Sequence, residues 1–384
     1  MNGPPRNTIV FVYGDGGNGK SLLLQYLQEN YCKLLAPTEW ARAQTMSDSE
    51  FREAFGRATV KVPSALLNFN PPPRSKKDPR DPFNALTALR RGLSGHNLKF
   101  PAFDFACRMY LDKVGELTPE REREVFPAEE MDFLAEFAEG LLKFKYVGLV
   151  NLFFKLGGKH LGREFKLWLK RRRLTKEQLG RIQEMDETEL LSTLPVVFAK
   201  NLSACVPISK TQRIILLFDS HEAFWGVEQR IYFPEERRQE FDDWFRALLK
   251  TLNRSRGIVV VVAGRDEPLH WPNAFDRWKI GKVEVDLQQV EGLSVEDSRD
   301  YLLRVGITDA LLCDTLLQYA QLTPGSVHPL FLHLCTEVIR NASAEGVHLT
   351  PSDFQQSVAL VEKRVQLVRS LFKYLDVRFQ EVVL

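Results

Sequence analysis

The stretch Gly14-Asp15-Gly16-Gly17-Asn18-Gly19-Lys20-Ser21 constrains this chain more than any other. Its spacing is GxxxxGK[ST], without a mismatch. Ile9-Val10-Phe11-Val12-Tyr13 before it reads as a buried strand, and Leu22 to Tyr31 after it reads as a helix. A strand, a glycine turn and a helix start form an anion cradle. Glycines let successive backbone N–H groups turn toward one point, and the helix N-terminus adds partial positive charge. In such a cradle a lysine reaches the β- and γ-phosphates and a serine hydroxyl ligates Mg²⁺. The residues from Gly14 to Leu22 are therefore expected to bind a nucleoside triphosphate, with Ser21 on the metal.

The bulk of the chain suits that expectation. Its 384 residues give room for roughly two or three domains. The apolar fraction of 44% supports real cores, and a net charge of +2 gives no global field for nucleic acid. Five cysteines lie far apart without a CxxC pair, which argues against a zinc site or a disulfide framework and for a reducing, cytoplasmic setting. Seven histidines show no HExxH pattern, so no structural metal is expected. Met1 to Arg6 leads straight into the first strand without a signal-peptide pattern. No uncharged apolar run approaches the roughly 18–20 residues that span a bilayer.

Strand and helix signals alternate along much of the chain. Val60 to Phe69 reads as a strand interrupted by Pro63, and a basic loop follows from Pro71 to Arg80. Phe83–Leu93 and Ala102–Val114 read as helices, the first capped by Asp81-Pro82. From Thr118 to Leu202 the pattern is helical throughout and includes a basic segment, Lys159 to Arg173. Apolar runs resume at Ile214-Ile215-Leu216-Leu217-Phe218 and at Ile258 to Ala263, the kind that suit parallel strands buried on both faces. An amphipathic helix is expected over Arg237–Leu252 and a last strand over Lys282–Leu287. The expected fold is α/β: a three-layer sandwich around a parallel sheet, with a helical insertion at about 118–202. Residues 1–290 would form this core. Residues 291–384 would form a helical lid, with helices at Val295–Val305, Ala310–Leu322, Val327–Asn341 and Pro351–Tyr374.

Further chemistry clusters at strand ends. Asp219 closes the run Leu216-Leu217-Phe218 and is expected to hold Mg²⁺, largely through water. Glu222, three residues on, is positioned to deprotonate an attacking water, and His221 between them reads as a bystander. Arg265 closes the run Val259 to Ala263. Its planar guanidinium suits bidentate contact with a γ-phosphate. Gly325-Ser326-Val327-His328-Pro329 places a proline at a helix start, where its ring can press on adenine.

Taken in order, VYGDGGNGKS at 12–21, LLFDSHE at 216–222, VVVAGR at 260–265 and Gly-x-x-His-Pro at 325–329 resemble the STAND class of P-loop NTPases. This is the signal-transduction branch of the AAA+ group, with the NACHT and NB-ARC proteins. The resemblance covers most of the chain outside the insertion. It implies an ATP/ADP switch with Mg²⁺, slow hydrolysis, and nucleotide held between core and lid with Pro329 near the adenine. It also implies self-association when ATP is bound, a protein trigger or effector, and a role in antiviral defence or transcriptional control. The family's Gly-x-Pro is longer here, running from Gly325 to Pro329, and only thirteen residues precede Gly14 where an effector often stands. Leu371 to Asp376 resembles the entry to a winged-helix module that would continue past Leu384.

Three other readings compete. A mechanical AAA+-type ATPase acting on nucleic acid or protein would use the basic segment 159–173, although Leu161, Phe165, Leu167 and Trp168 give that segment a core side. A membrane-surface helix would insert Phe153, Phe154 and Trp168. A GTPase lacks support, because no Asn-Lys-x-Asp stretch occurs, and a small-molecule kinase would not need so large a lid. Arg90, Arg91, Arg237 and Arg238 are the candidates for an arginine finger acting on a neighbouring copy.

Overall fold

The computed structural model describes residues 8–56, 60–70, 77–96, 98–126, 176–209, 211–224, 242–252, 257–268, 271 and 284–354. The basic segment 159–173, residues 127–175 of the insertion, Phe153 and Phe154, Arg237, Arg238 and the 371–376 segment lie outside these residues. The chain divides into two compact units: Met1–Val12 with Leu23–Leu287, and Tyr13–Leu22 with Gln288–Leu384.

A five-stranded parallel sheet organises the α/β part. The strands are β1 (Thr8–Tyr13), β2 (Ser64–Asn68), β3 (Ile214–Asp219), β4 (Ile258–Gly264) and β5 (Glu284–Gln289). Their order is β2-β3-β4-β1-β5, so β4 lies between β3 and β1. Register pairs Asn68 with Asp219 and Phe218 with Val262, which aligns the ends of β2, β3 and β4 along one edge. The apolar runs explain the strands. Every residue of β3 except Ile215 is buried, as a strand covered on both faces requires. The expected strand over 60–69 is shorter, beginning after Pro63, because proline lacks the N–H that a ladder needs. Lys61 forms only an isolated antiparallel bridge with Lys33.

The helices among the described residues of this unit are α1 (Lys20–Asn30, its first residues belonging to the other unit), α2 (Pro37–Ala43), α3 (Asp48–Phe55), α4 (Pro82–Gly92), α5 (Pro101–Lys113), α6 (Pro119–Val125), α7 (Lys176–Glu184), α8 (Glu187–Cys205) and α9 (Asp243–Thr251). Asp81 caps α4 through Asn84 N–H, as its sequence indicates, and Asp186 opens α8 with a capping box closed by Glu189. Phe100 cannot cap α5. Asn201 of α8 does so instead, its Oδ1 accepting from Ala102 N at 3.1 Å and Phe103 N at 3.2 Å. The helix α8 packs against α4, α5 and α9, so the described end of the insertion is part of the core.

Arg90 is withdrawn from the list of possible arginine fingers. Its side chain is 3% exposed, pairs with Asp104 at 3.2 Å, and stacks 4.6 Å from the Phe100 ring centre. A trans-acting finger must reach solvent, and breaking a buried pair costs about 3–5 kcal/mol.

The C-terminal part is not wholly helical, contrary to the sequence expectation. Helices α10 (Val295–Arg304), α11 (Ala310–Ala320) and α12 (Pro329–Ala344) alternate with a small antiparallel sheet. Its strands β6 (Leu293–Ser294), β7 (Gln321–Thr323) and β8 (Ser326–Val327) run in the order β6-β8-β7. Pro324-Gly325 turns β7 into β8, with Gly325 at φ 86°. Proline followed by a left-handed glycine is the composition of a type II turn, so Gly325 has a local structural role. The three helices share a core of Leu302, Leu316, Val327, Phe331, Leu332 and Cys335. All five cysteines are buried thiols outside any disulfide. Among the described residues no helix is long and apolar enough to cross a membrane.

Candidate functional site: a glycine cradle and an acidic strand end

The cradle belongs to the unit that contains the C-terminal helices. Strand β1 ends at Tyr13, and α1 begins at Lys20, so four glycines with Asp15 and Asn18 make the whole connection. Gly14, Gly17 and Gly19 sit at φ 151°, 95° and 84°. Side chains rarely adopt these angles, which is why the spacing demands glycine. Each also has distinct surroundings. A Cβ on Gly14 would lie 2.2 Å from the Val290 carbonyl oxygen, and one on Gly17 would lie 2.6 Å from His328 Cε1 and 2.8 Å from Leu330 Cβ. A Cβ on Gly19 would meet nothing within 4 Å.

Lys20 and Asn18 hold the cradle from inside. Lys20 Nζ donates to the carbonyls of Gly14 at 2.6 Å and Asp15 at 2.8 Å, and only 8% of the residue is exposed. Asn18 Nδ2 donates to Val290 O at 3.0 Å, while Val290 N donates to Tyr13 O at 2.7 Å. The residue after β5 is thus tied to both ends of the cradle. Asn18 Oδ1 is buried without a hydrogen-bond partner among the described residues. Ser21 is exposed, and Leu22 exposes 70% of its surface. At the start of α12, His328 stacks on Phe331 at 4.3 Å between centroids, and Pro329 occupies the first helical turn. The structure therefore brings Gly17 of the cradle against His328 and Leu330, the two neighbours of Pro329.

The acidic strand end belongs to the other unit. Asp219 is 5% exposed. Its Oδ2 accepts from Asn68 Nδ2 at 3.2 Å, and its Oδ1 accepts from Ser220 N at 2.9 Å. Ser220 is left-handed at φ 60°, which bends the chain into the 3₁₀ turn His221–Phe224. Glu222 Oε2 accepts from Arg265 N at 3.0 Å. Asp219, Glu222 and Arg265 thus form one cluster at the ends of β3 and β4. Arg265 Nε is buried without a hydrogen-bond partner among the described residues, a donor set for an acceptor.

Two contributors escape sequence reasoning. Asn68 is the register partner of Asp219, but the two are 151 residues apart in sequence. Its only local signal is a polar residue ending an apolar run. His221, which the sequence offers as a bystander, is 1% exposed and bonded to Asp242.

The donor set suits a phosphate and a hard cation. The first turn of α1 offers N–H groups without intrahelical partners, and Gly19 leaves open space beside them. Ser21 of one unit and Asp219 of the other each carry a hard oxygen of the kind that magnesium takes as a ligand. Compared with known proteins, the chain matches no protein-family model, and no curated protein is significantly similar to it.

Proposed function

We propose that this protein is an ATP-binding, slowly hydrolysing regulatory switch of the STAND type. The carrying observation is the cradle itself: a buried strand, glycines at φ 151°, 95° and 84°, and a helix that opens on Lys20-Ser21. The lysine at that helix start is buried, and its ammonium lies on the carbonyls that line the cradle. Lys20 would exchange those carbonyls for phosphate oxygens, and Ser21 and Asp219 would hold the magnesium. Bound magnesium would neutralise charge on the phosphates. Glu222 would orient a water and take its proton, and Arg265 would offer its Nε–H to the phosphate.

The switch reading rests on the packing of Gly17 against His328 and Leu330. There is no room for a methyl group there, so a cradle that reshaped around a phosphate at Gly17 would press on the start of α12. Inverting a population from 1:99 to 99:1 needs a roughly 10⁴-fold preference for one state, and contacts made in only one arrangement can supply it. An ADP-bound monomer and an ATP-bound assembly are the two states expected.

Calorimetry with ATP and Mg²⁺, on wild type and Lys20→Ala, tests the binding. Magnesium-dependent uptake lost in the variant supports the reading, and its absence in wild type ends it. Mass photometry tests the switch: an assembly state indifferent to both ATP and Lys20→Ala would leave an ATPase without a switch.

A further inference from the structure

Of the two residues between the acidic side chains, the second, His221, turns away from the partners that those side chains bond. Asp219 and Glu222 bond groups at the strand ends, Asn68 and Arg265. His221 instead turns into the core and is 1% exposed. Its ring meets Phe11 of β1 edge-on at 5.6 Å and Trp271 at 5.0 Å. Its Cβ lies 3.4 Å from where a Cβ on Gly264 would stand, so the same side chain also abuts the end of β4.

Its polar end has a fixed partner. His221 Nε2 lies 3.1 Å from Asp242 Oδ2. The same oxygen accepts from Trp271 Nε1 at 3.0 Å, and Asp242 Oδ1 accepts from Arg246 Nε at 2.7 Å. Asp242 is completely buried. A buried carboxylate beside a guanidinium is ionised and accepts only, so Nε2 of His221 must carry its proton toward it. The acidic loop is therefore bolted through one imidazole to α9, to Trp271 and to the hydrophobic face of β1.

We propose that His221 is a positioning residue for hydrolysis, holding Glu222 at its distance from Asp219 by anchoring the turn to Asp242. The proposal rests on the ATPase reading. It accounts for the Asp-x-x-Glu spacing: left-handed Ser220 swings the chain inward, His221 locks it there, and Glu222 emerges one residue later against Arg265 N. A base misplaced by about 1 Å can cost up to a hundredfold in rate while substrate binding is spared.

The test separates turnover from affinity. His221→Phe keeps an aromatic ring for Phe11 and Trp271 but removes the N–H from Asp242. We expect kcat to fall about tenfold with ATP affinity within about twofold of wild type. His221→Gln, whose amide can reach Asp242, restores turnover, whereas the shorter His221→Asn does not. Combining His221→Phe with Asp242→Asn costs no more turnover than Asp242→Asn alone, because the bond to His221 is among those that the second change already disturbs. If His221→Phe does not fold, the Gln and Asn variants carry the test through equal chemistry and unequal reach. Equal turnover of those two, or loss of affinity in step with kcat, overturns the proposal and leaves His221 a packing residue. Failure of the ATPase reading appears separately, as wild-type protein that neither binds nor hydrolyses ATP, and takes the proposal with it.

Discussion

The loop after β1 and the loop after β3 are built on opposite principles. Backbone shapes the first. Gly14, Gly17 and Gly19 take angles that side chains rarely reach, and its main fixings are short bonds from Lys20 and Asn18. Side chains shape the second. It contains no glycine from Asp219 to Phe224, and its one left-handed residue is a serine. Its form is imposed from outside, by Asn68, Asp242 and Arg265. A loop that must wrap a ligand with N–H groups needs bare backbone. A loop that must aim two carboxylates needs a rigid frame behind them.

The largest break of this contrast comes from Gly14→Ala. The added methyl would stand 2.2 Å from a backbone oxygen, that of Val290, at φ 151°. Backbone cannot swing aside as a side chain can. We expect a loss of about 2–4 kcal/mol in stability by chemical denaturation, together with loss of ATP binding by calorimetry. Normal ATP binding by Gly14→Ala would show that the loop is not backbone-shaped.

Glu222→Gln probes the second loop without moving it. Glutamine keeps an oxygen to accept from Arg265 N, so the frame stays, and only the basic carboxylate is lost. Turnover should fall roughly 10²–10⁴-fold with binding preserved. Undiminished phosphate release would place the base elsewhere. Asn68→Ala should do less. Removing one donor to Asp219 is worth about 1 kcal/mol, roughly fivefold, and should appear in the magnesium titration of the ATPase. A magnesium midpoint unchanged from wild type would mean that Asn68 does not set the carboxylate.

The same contrast explains what the sequence discloses. The cradle is legible because its requirements are local: glycine where φ is positive, lysine and serine at a helix start. The strands at 214–219 and 258–264 are legible because burial on both faces leaves an unbroken apolar run. The frame of the acidic loop is not. Asn68 is 151 residues from Asp219, and Trp271 is 29 from Asp242. A buried histidine in such a frame has no periodic signature. Asn18 reaches Val290 across 272 residues, so even the cradle's outer fixing is hidden. Strands β6 and β8 escape because two residues cannot show a period of two.

Ser220→Gly gives the smallest expected effect and the sharpest comparison. At φ 60° serine carries roughly 1 kcal/mol of left-handed strain, which glycine relieves. Glycine also gains freedom in the unfolded chain, which costs about 0.4–1 kcal/mol. The two terms nearly cancel, so the denaturation midpoint should barely move. Turnover should still fall by about two- to threefold, because a looser hinge lets Glu222 wander from its place while His221 stays bound to Asp242. In the cradle the same logic runs in reverse. There an added side chain costs both fold and function, whereas here removing one costs only function. A Ser220→Gly protein with wild-type kcat would show that the frame through His221 suffices alone and that the left-handed residue adds nothing to it.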